Sequence, residues 1–299
     1  KNLVIANIYC KLPGSNNNMA DNIIIFTDLD GTLLNTTYEY NSAMPALALI
    51  ERYKIPLVFC SSKTRSEIEL YRKKLGNDHP FISENGGGIF LPVGYFEPDK
   101  IIPAHERTLS NCYDVITLGA HYGELRTTLI RLQREGFLIK GFGDMSTEEV
   151  SRRMGLSTEE AKMAQQREFD EPFFYEDKEG NLHNLLNSIK QKGFKYTKGR
   201  IYHLIGQSDK GKAVSILIDL YRLKYGPVTT IGIGDSQNDL PMMKKVDISV
   251  VVQKPDGTYD LSLMAGSKPI KAEGIGPEGW NKAMLHLIPK LLSQSQVDN

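Results

Sequence analysis

The chain has 299 residues, and its 36 lysines and arginines are balanced by 36 aspartates and glutamates, giving a formal net charge of zero. That balance excludes a global basic field of the kind that holds nucleic acid or an anionic membrane by charge alone. With 40% hydrophobic and 24% charged residues, the composition is that of a globular chain of about two domains, and no run of about 18 apolar residues marks a membrane span.

In chain order, residues 1–18 (KNLVIANIYCKLPGSNNN) read as a flexible N-terminal extension. Its apolar stretch is short, is broken by Asn7 and Lys11, and lacks the cleavage pattern of a secretory signal. Met19 is a candidate internal start. IIIFTD (23–28) is a continuous apolar run with a polar end, the signature of a strand buried on both faces. A helical pattern follows over 43–53. PLVFCS (56–61) is a second buried strand. SKTRSEIELYRKKLG (62–76) is an amphipathic helix stopped by Gly76, and FISEN (81–85) is a third strand. The βαβαβ alternation predicts a doubly wound α/β sheet.

GGGIFLPVGYF (86–96) reads as a glycine-rich hairpin. From about 119 to 199 the chain becomes more helical and more charged. Helices are expected over 121–135, 146–155, 158–169 and 182–192, with short strands over 137–142, 172–176 and 194–196. This stretch is predicted to be a second α/β domain inserted into the first, so that 19–118 and 200–299 form one core. The parallel-sheet pattern then returns, with a helix over 210–226, strands over 228–235 and 248–252, and a helix over 278–292. Cys10, Cys60 and Cys112 are far apart and odd in number, so they read as free thiols of a reducing cytosol and predict a cytoplasmic protein.

The chemistry of an open α/β sheet sits at the carboxyl ends of its strands. DLDGT (28–32) places Asp28 at a strand end and Asp30 two residues on. Carboxylates this close need a cation or a shared proton, and can divide into nucleophile and general acid/base. CSSKT (60–64) offers Ser61 and Ser62 as an anion site at a helix start, or as a plain cap. In GIGDSQND (232–239), Asp235 fits a ligand of a hard divalent cation, with Asp239 and Asn238 as supporting groups around it. Lys210 opens a helix, where a cation is electrostatically disfavoured unless an anion faces it; Lys212 is expected to face solvent.

The order and spacing of these four elements resemble the motif series of the haloacid dehalogenase (HAD) superfamily, and specifically its phosphatases, over nearly all of the chain from Asn22 onward. The resemblance implies a HAD core with an α/β cap. It implies that Asp28 attacks phosphorus, that Asp30 is the acid/base, and that Ser61 and Lys210 hold phosphoryl oxygens. It also implies Mg²⁺ bound by the Asp28 carboxylate, the Asp30 backbone carbonyl and the Asp235 carboxylate. Within the capped sugar phosphatases, CSSKT (60–64), SENGGGI (83–89), GFGDMSTEEV (141–150), MGLSTEEAKMAQQREFDEPF (154–173) and GIGPEGWNKAM (274–284) resemble the branch acting on mannosyl-3-phosphoglycerate. The substrate so implied is a small phosphorylated sugar-glycerate carrying a phosphate, a carboxylate and a hexose.

For that substrate Arg167 is the first candidate carboxylate reader, set against a surface arginine paired with nearby acids. Asp144, Met145, Ser146 and Thr147 are a helix start that could meet an anion or sugar hydroxyls, or an ordinary N-cap. Asn85 and Gly86 are expected to face the cleft, and Lys63 to add positive potential at its mouth or be merely solvated. His203 is read as structural and Trp280 as a packing anchor. Competing readings are a phosphatase for glucosyl-3-phosphoglycerate or sucrose phosphate, a phosphomutase, and a silent HAD-like binding module. The intact Asp28, Asp30, Lys210 and Asp235 weigh against the last. No nucleic-acid motif is recognised, no membrane association is expected, and the assembly is a monomer or homodimer.

Overall fold

The computed structural model describes residues 23–97, 106–110, 112–177, 180, 182–264 and 268–295. The extension 1–18, Met19 and Cys10 lie outside the described residues. Six parallel strands form the body of the larger sheet. Three of them run outward from the middle in chain order: β1 (Ile23–Thr27), β2 (Leu57–Cys60) and β3 (Phe81–Ser83). On the other side of β1 lie β11 (Thr229–Gly234), β12 (Ile248–Gln253) and β13 (Ile270–Ile275). The strand order therefore reverses between β1 and β11, the position where an open α/β sheet leaves a crevice.

The alternation of residues along the strands explains the double winding. In β1, Ile23 and Ile25 enter one core with Trp280 and Met284 of α10 (Pro277–Ser295), while Ile24 and Phe26 enter the other with Val214 and Leu217 of α7 (Lys210–Tyr225). Trp280 is fully buried, and its Nε1 donates to Thr27 Oγ1 at 3.0 Å. It is a packing anchor, as the sequence indicates, and it supports the residue directly before Asp28.

The expected hairpin over 86–96 forms differently. Glu84, Asn85 and Gly86 all take positive φ and make a tight turn, after which β4 (Gly88–Pro92) pairs antiparallel with β3. The strand ends at Pro92, because Tyr95 and Phe96 are drawn into the core against Tyr221. The edge of the sheet is completed by β5 (Glu106–Ser110) and β6 (Tyr113–Thr117).

The smaller sheet is antiparallel, in the order β7 (Ile139–Gly141), β8 (Asp170–Tyr175), β10 (Tyr202–Ile205) and β9 (Lys195–Lys198). The helices α3 (Tyr122–Arg134) and α6 (Leu182–Gln191) pack on it through Leu125, Leu129, Leu185 and Ile189. A separate cluster joins α4 (Thr147–Met154) and α5 (Thr158–Ala164) to Phe142 and Ile201. Because β10 belongs to this sheet, the sheet continues past residue 199, where the sequence reading closes the insertion. Among the described residues no helix is long and apolar enough to cross a membrane.

One buried imidazole makes the fold acid-sensitive. His79 Nδ1 lies 2.8 Å from the Tyr95 hydroxyl, which is 3.1 Å from that of Tyr221. Burial, with Arg72 and Lys224 nearby, holds its pKa down to about 4. An unfolded histidine titrates near about 6.5. Between these values the unfolded chain binds more protons, so this contribution is full above about pH 6.5 and is lost as pH falls toward 4. Urea unfolding at pH 4.5, 5.5, 6.5 and 7.5 should show a steeper acid loss in the wild type than in His79→Gln, by roughly 1–3 kcal/mol at the acid end.

Candidate active site

Each reactive side chain is placed by a strand end or a helix start. Asp28 follows β1 and is anchored by its N–H to Ile233 O of β11 at 2.9 Å. Lys210 opens α7 and is fully buried; its Nζ donates to Asp28 Oδ1 at 2.6 Å and to Asp239 Oδ1 at 2.7 Å. The helix start carries a cation because two carboxylates face it. Burial alone would strip Lys210 of its proton, but Asp239 and Asp28 together hold its pKa above the usual lysine range.

Asp239 is fully buried as well, and its Oδ2 accepts from the N–H groups of Asp235 and Ser236, both at 3.1 Å. Both of its oxygens are thus committed to holding Lys210 and the loop after β11. Asp235 lies at the crevice, with Thr32 Oγ1 donating to Oδ1 at 3.3 Å. Burial and the neighbouring Asp239 push the Asp235 carboxyl up to about 7, and burial with Asp239 and Asp235 likewise raises Asp28 against the pull of Lys210. Carboxylate oxygens of Asp28, Asp235 and Asp239 come within 4.8 Å of one another. Among the described residues Lys210 is the only cation paired with this trio. The surplus of negative charge and the all-oxygen donor set fit a hard divalent cation.

Asp30 is held from the opposite wall. Its Oδ1 pairs with Lys63 Nζ at 3.0 Å, and Lys63 also reaches Glu67 Oε1 at 3.3 Å and lies over the Tyr38 ring. Lys63 is therefore neither a solvated group nor a diffuse charge at the mouth. It is buried, and although burial opposes its charge, Asp30 and Glu67 keep it protonated. Gly31, between the two aspartates, has φ +79°, and a Cβ there would stand 2.8 Å from Asp235 Oδ2. The glycine lets the DLDGT loop close over the carboxylate trio.

These groups line one end of a cavity of about 770 Å³, a size that suits a small organic ligand. Asp28, Asp30, Asp235, Asn238, Ser62, Lys63 and Arg167 all line it. Ser61 does not reach the lining. It is fully buried, and its hydroxyl accepts from the Lys63 N–H at 3.2 Å. Asn85 and Gly86 stand behind the site. Asn85 donates to Asp170 Oδ2 at 2.7 Å and accepts from Asn238 Nδ2 at 3.2 Å. Gly86 packs so tightly on the Asp209 carbonyl that a Cβ would lie 2.2 Å from it.

Asp144, Met145 and Ser146 are not brought to the cavity. Asp144 is spent on Arg126, on Gln133 and on the Gly141 N–H, Met145 is buried, and Ser146 caps α4 through the Glu149 N–H. The capping reading of this segment holds. Arg167 is not on the surface: its side chain is 5% exposed, with Nε on Ala164 O at 2.7 Å and Nη1 on Ser62 O at 2.8 Å. It ties α5 of the smaller unit to the loop after β2.

Sequence reasoning missed three participants. Glu84, fully buried at positive φ, accepts from the Glu168 and Phe169 N–H groups, and burial raises its pKa to about 8. Asp170 is fully buried at the start of β8, and His203 of β10 lines the cavity. The signal for Asp170 was an acid opening the apolar strand DEPFFY.

A family model described as haloacid dehalogenase-like hydrolase matches residues 25–257. The chain belongs to that family. A protein of Methanococcoides burtonii named glucosyl-3-phosphoglycerate/mannosyl-3-phosphoglycerate phosphatase is 48% identical over 270 residues, covering 89% of this chain and 97% of the relative. A mannosyl-3-phosphoglycerate phosphatase of Pyrococcus horikoshii is 38% identical over 230 residues, covering 77% and 90%. In fold, the chain is similar to a solved haloacid dehalogenase-like hydrolase from B. subtilis, with TM-score 0.63 and 16% identity over 88% of this chain and 99% of that one.

The geometry makes Arg167 a tie between the two units on the cavity wall. Arg167→Ala should lower kcat/KM by about tenfold for an aryl phosphate and for a carboxylate-bearing phosphate ester alike. A rise in KM confined to the carboxylate-bearing ester would assign the guanidinium to substrate recognition instead.

Proposed function

We propose that the protein is a Mg²⁺-dependent phosphatase that hydrolyses mannosyl-3-phosphoglycerate to mannosylglycerate and phosphate. The observation that carries this reading is the buried Lys210 between Asp28 and Asp239, behind the charged end of the cavity that Asp28 and the Lys63-anchored Asp30 line. The two relatives' names support the substrate class, and the dual name of the M. burtonii relative favours the glucosyl compound as a second substrate.

In this mechanism an Asp28 carboxylate oxygen attacks phosphorus. A P–O(Asp28) bond forms, the P–O(glyceryl) bond breaks, and Asp30 gives its proton to the departing glyceryl oxygen. Asp30 then takes a proton from water, whose oxygen attacks phosphorus and releases the Asp28 carboxylate and inorganic phosphate. Lys210 fixes the Asp28 rotamer and offsets phosphoryl charge, because a dianionic phosphate repels a carboxylate nucleophile. Ser61 orders the loop through the Lys63 amide, and Ser62 offers backbone polarity to the phosphoryl group. Asp28, Asp235 and the Asp30 carbonyl would hold Mg²⁺, with Asp239 and Asn238 behind them. Bound there, the metal would draw electron density from the phosphoryl oxygens. The smaller sheet and its helices, from about residue 119 to β10, act as the cap over a small soluble substrate, and a cytoplasmic location belongs to the same reading.

Asp28→Asn should lower kcat by at least about a thousandfold while the protein stays folded, since Lys210 keeps Asp239 at 2.7 Å. Normal turnover in that variant would sink the mechanism. Phosphate release from mannosyl-3-phosphoglycerate should require Mg²⁺ and stop on chelation. Its kcat/KM should exceed that for mannose 6-phosphate, sucrose 6-phosphate and 3-phosphoglycerate by about a hundredfold, with the glucosyl compound close to the mannosyl one. A flat profile would leave the phosphatase chemistry standing and overturn the substrate.

A further inference from the structure

The cavity has two unlike ends. Facing the carboxylates, its cap wall is apolar at Phe142, Leu156 and Ile201 and cationic at Arg167, Lys198 and Arg200. Set into that wall is His203, 7% exposed, on β10. Its Nδ1 lies 2.9 Å and 3.0 Å from the two oxygens of Asp170, which is fully buried. A carboxylate can only accept, so the Nδ1 proton belongs to that bond and Nε2 is the ring atom left for another partner. Asp170 is fixed in turn by Asn85 at 2.7 Å, and Asn85 by Asn238 at 3.2 Å, on the loop that carries Asp235 and Asp239. An imidazole held this way, with nothing to do in phosphoryl transfer, is an oriented polar group facing the ligand space.

We propose that His203 reads a hydroxyl of the substrate's hexose, with Asp170 and Asn85 as the residues that position it. The inference rests on the phosphatase reading above and adds which part of the leaving group the cap recognises. A hexose presents C–H faces to an apolar wall and hydroxyls to an oriented ring nitrogen, and both are on this wall. A carboxylate would go to the cations of the same lining, Lys198 and Arg200, in preference to an imidazole backed by the Asp170 carboxylate. The floor of the cavity, which Asp28, Asp30 and Lys63 line, is left to the phosphate. A site built to hydrogen-bond a hydroxyl discriminates by leaving its own polar group unpaired when the hydroxyl is missing.

The test measures kcat and KM of wild type, His203→Ala, His203→Gln and Asp170→Asn on mannosyl-3-phosphoglycerate, 3-phosphoglycerate and p-nitrophenyl phosphate, with circular dichroism and thermal melts as the fold control. His203→Ala should raise KM for the mannosyl compound by about 10–100-fold and change kcat/KM for the other two by less than about threefold. His203→Gln, whose amide reaches the position of Nε2, should recover part of that loss, and Asp170→Asn should follow His203→Ala in KM while its kcat stays close to wild type. Equal losses on all three compounds would make His203 a structural residue and overturn the inference. A loss shared by the mannosyl compound and 3-phosphoglycerate would assign it to the glycerate and also overturn it. A wild-type enzyme with no preference for the mannosyl compound would refute the substrate reading, whereas a preference that survives in His203→Ala refutes this inference alone.

Discussion

One buried ammonium sets the terms for the rest of the molecule. Three carboxylates gather at the reversal point of the sheet, and among the described residues only Lys210 enters among them as a cation. Taking one charge of this kind out of water costs several kcal/mol, and pairing offsets that cost only if the geometry is tight and the remaining lone pairs are met. The chain meets those conditions through backbone. Asp239 has its second oxygen on two N–H groups, Asp28 is strapped to Ile233, and the Asp209 carbonyl just before Lys210 is packed against Gly86 with no room for a side chain. Trp280 and Thr27 brace the strand end from beneath. What the pairing does not neutralise is the useful part, because the residual negative charge is a standing demand for a cation.

The smaller unit is joined to this core by directional polar contacts around one turn. Glu84 and Asn85, both at positive φ, face outward from the end of β3. Glu84 caps the backbone at Glu168 and Phe169, and Asn85 takes Asp170. Arg167 and Thr64, whose hydroxyl reaches Met163 O at 3.0 Å, add two more ties from the loop after β2. Strained backbone of this kind persists only where its surroundings over-determine it. Here the strain aims two side chains from a core turn at the strand that carries the cap's ligand-facing wall. Hydrogen bonds with fixed geometry hold a register more sharply than an apolar contact of the same area, so residues 84, 85 and 167 fix how the smaller unit seats on the core.

The sequence was readable wherever a strand end carried its own chemistry. Asp28, Asp30, Asp235, Asp239 and Lys210 follow from polar residues placed at the ends of continuous apolar runs, and buried parallel strands make that pattern plain. Two helix ends were readable from their caps: Ser146 opens α4 in the smaller unit, and Gly76 closes α2 (Arg65–Leu75) of the core in left-handed conformation. The capping strength of Ser146 is also why its segment was overread as a ligand site, since the same N–H groups serve either use. The hairpin at 86–96 went astray because three glycines signal a turn without saying which strands it joins, and the pull of Tyr95 and Phe96 into the core is a tertiary effect. His203 and Glu84 carry no local signal, and Asp170 only that of an acid opening an apolar strand. Each matters through partners 33 to 85 positions away, and a single histidine in an apolar strand looks the same whether its ring faces packing atoms or a ligand.

Separation of chemistry from recognition follows from where the charges are. Every ionised group that the phosphoryl transfer uses lies on the core side, on the strand ends, the loop after β2 and the first turn of α7, and none is contributed by the smaller sheet. The opposite wall supplies hydrophobic area, one oriented imidazole and the cations Arg167, Lys198 and Arg200. A change in that wall therefore alters which leaving group fits without touching the balance around Lys210, while a change near Lys210 alters the rate for every leaving group. The link between the two halves is the path Asn238–Asn85–Asp170–His203, which starts on the loop that carries Asp235 and Asp239 and ends at the far wall of the cavity. Asp239 already fixes that loop through the Asp235 and Ser236 N–H groups, so binding energy gathered at the far wall is felt in affinity rather than in turnover.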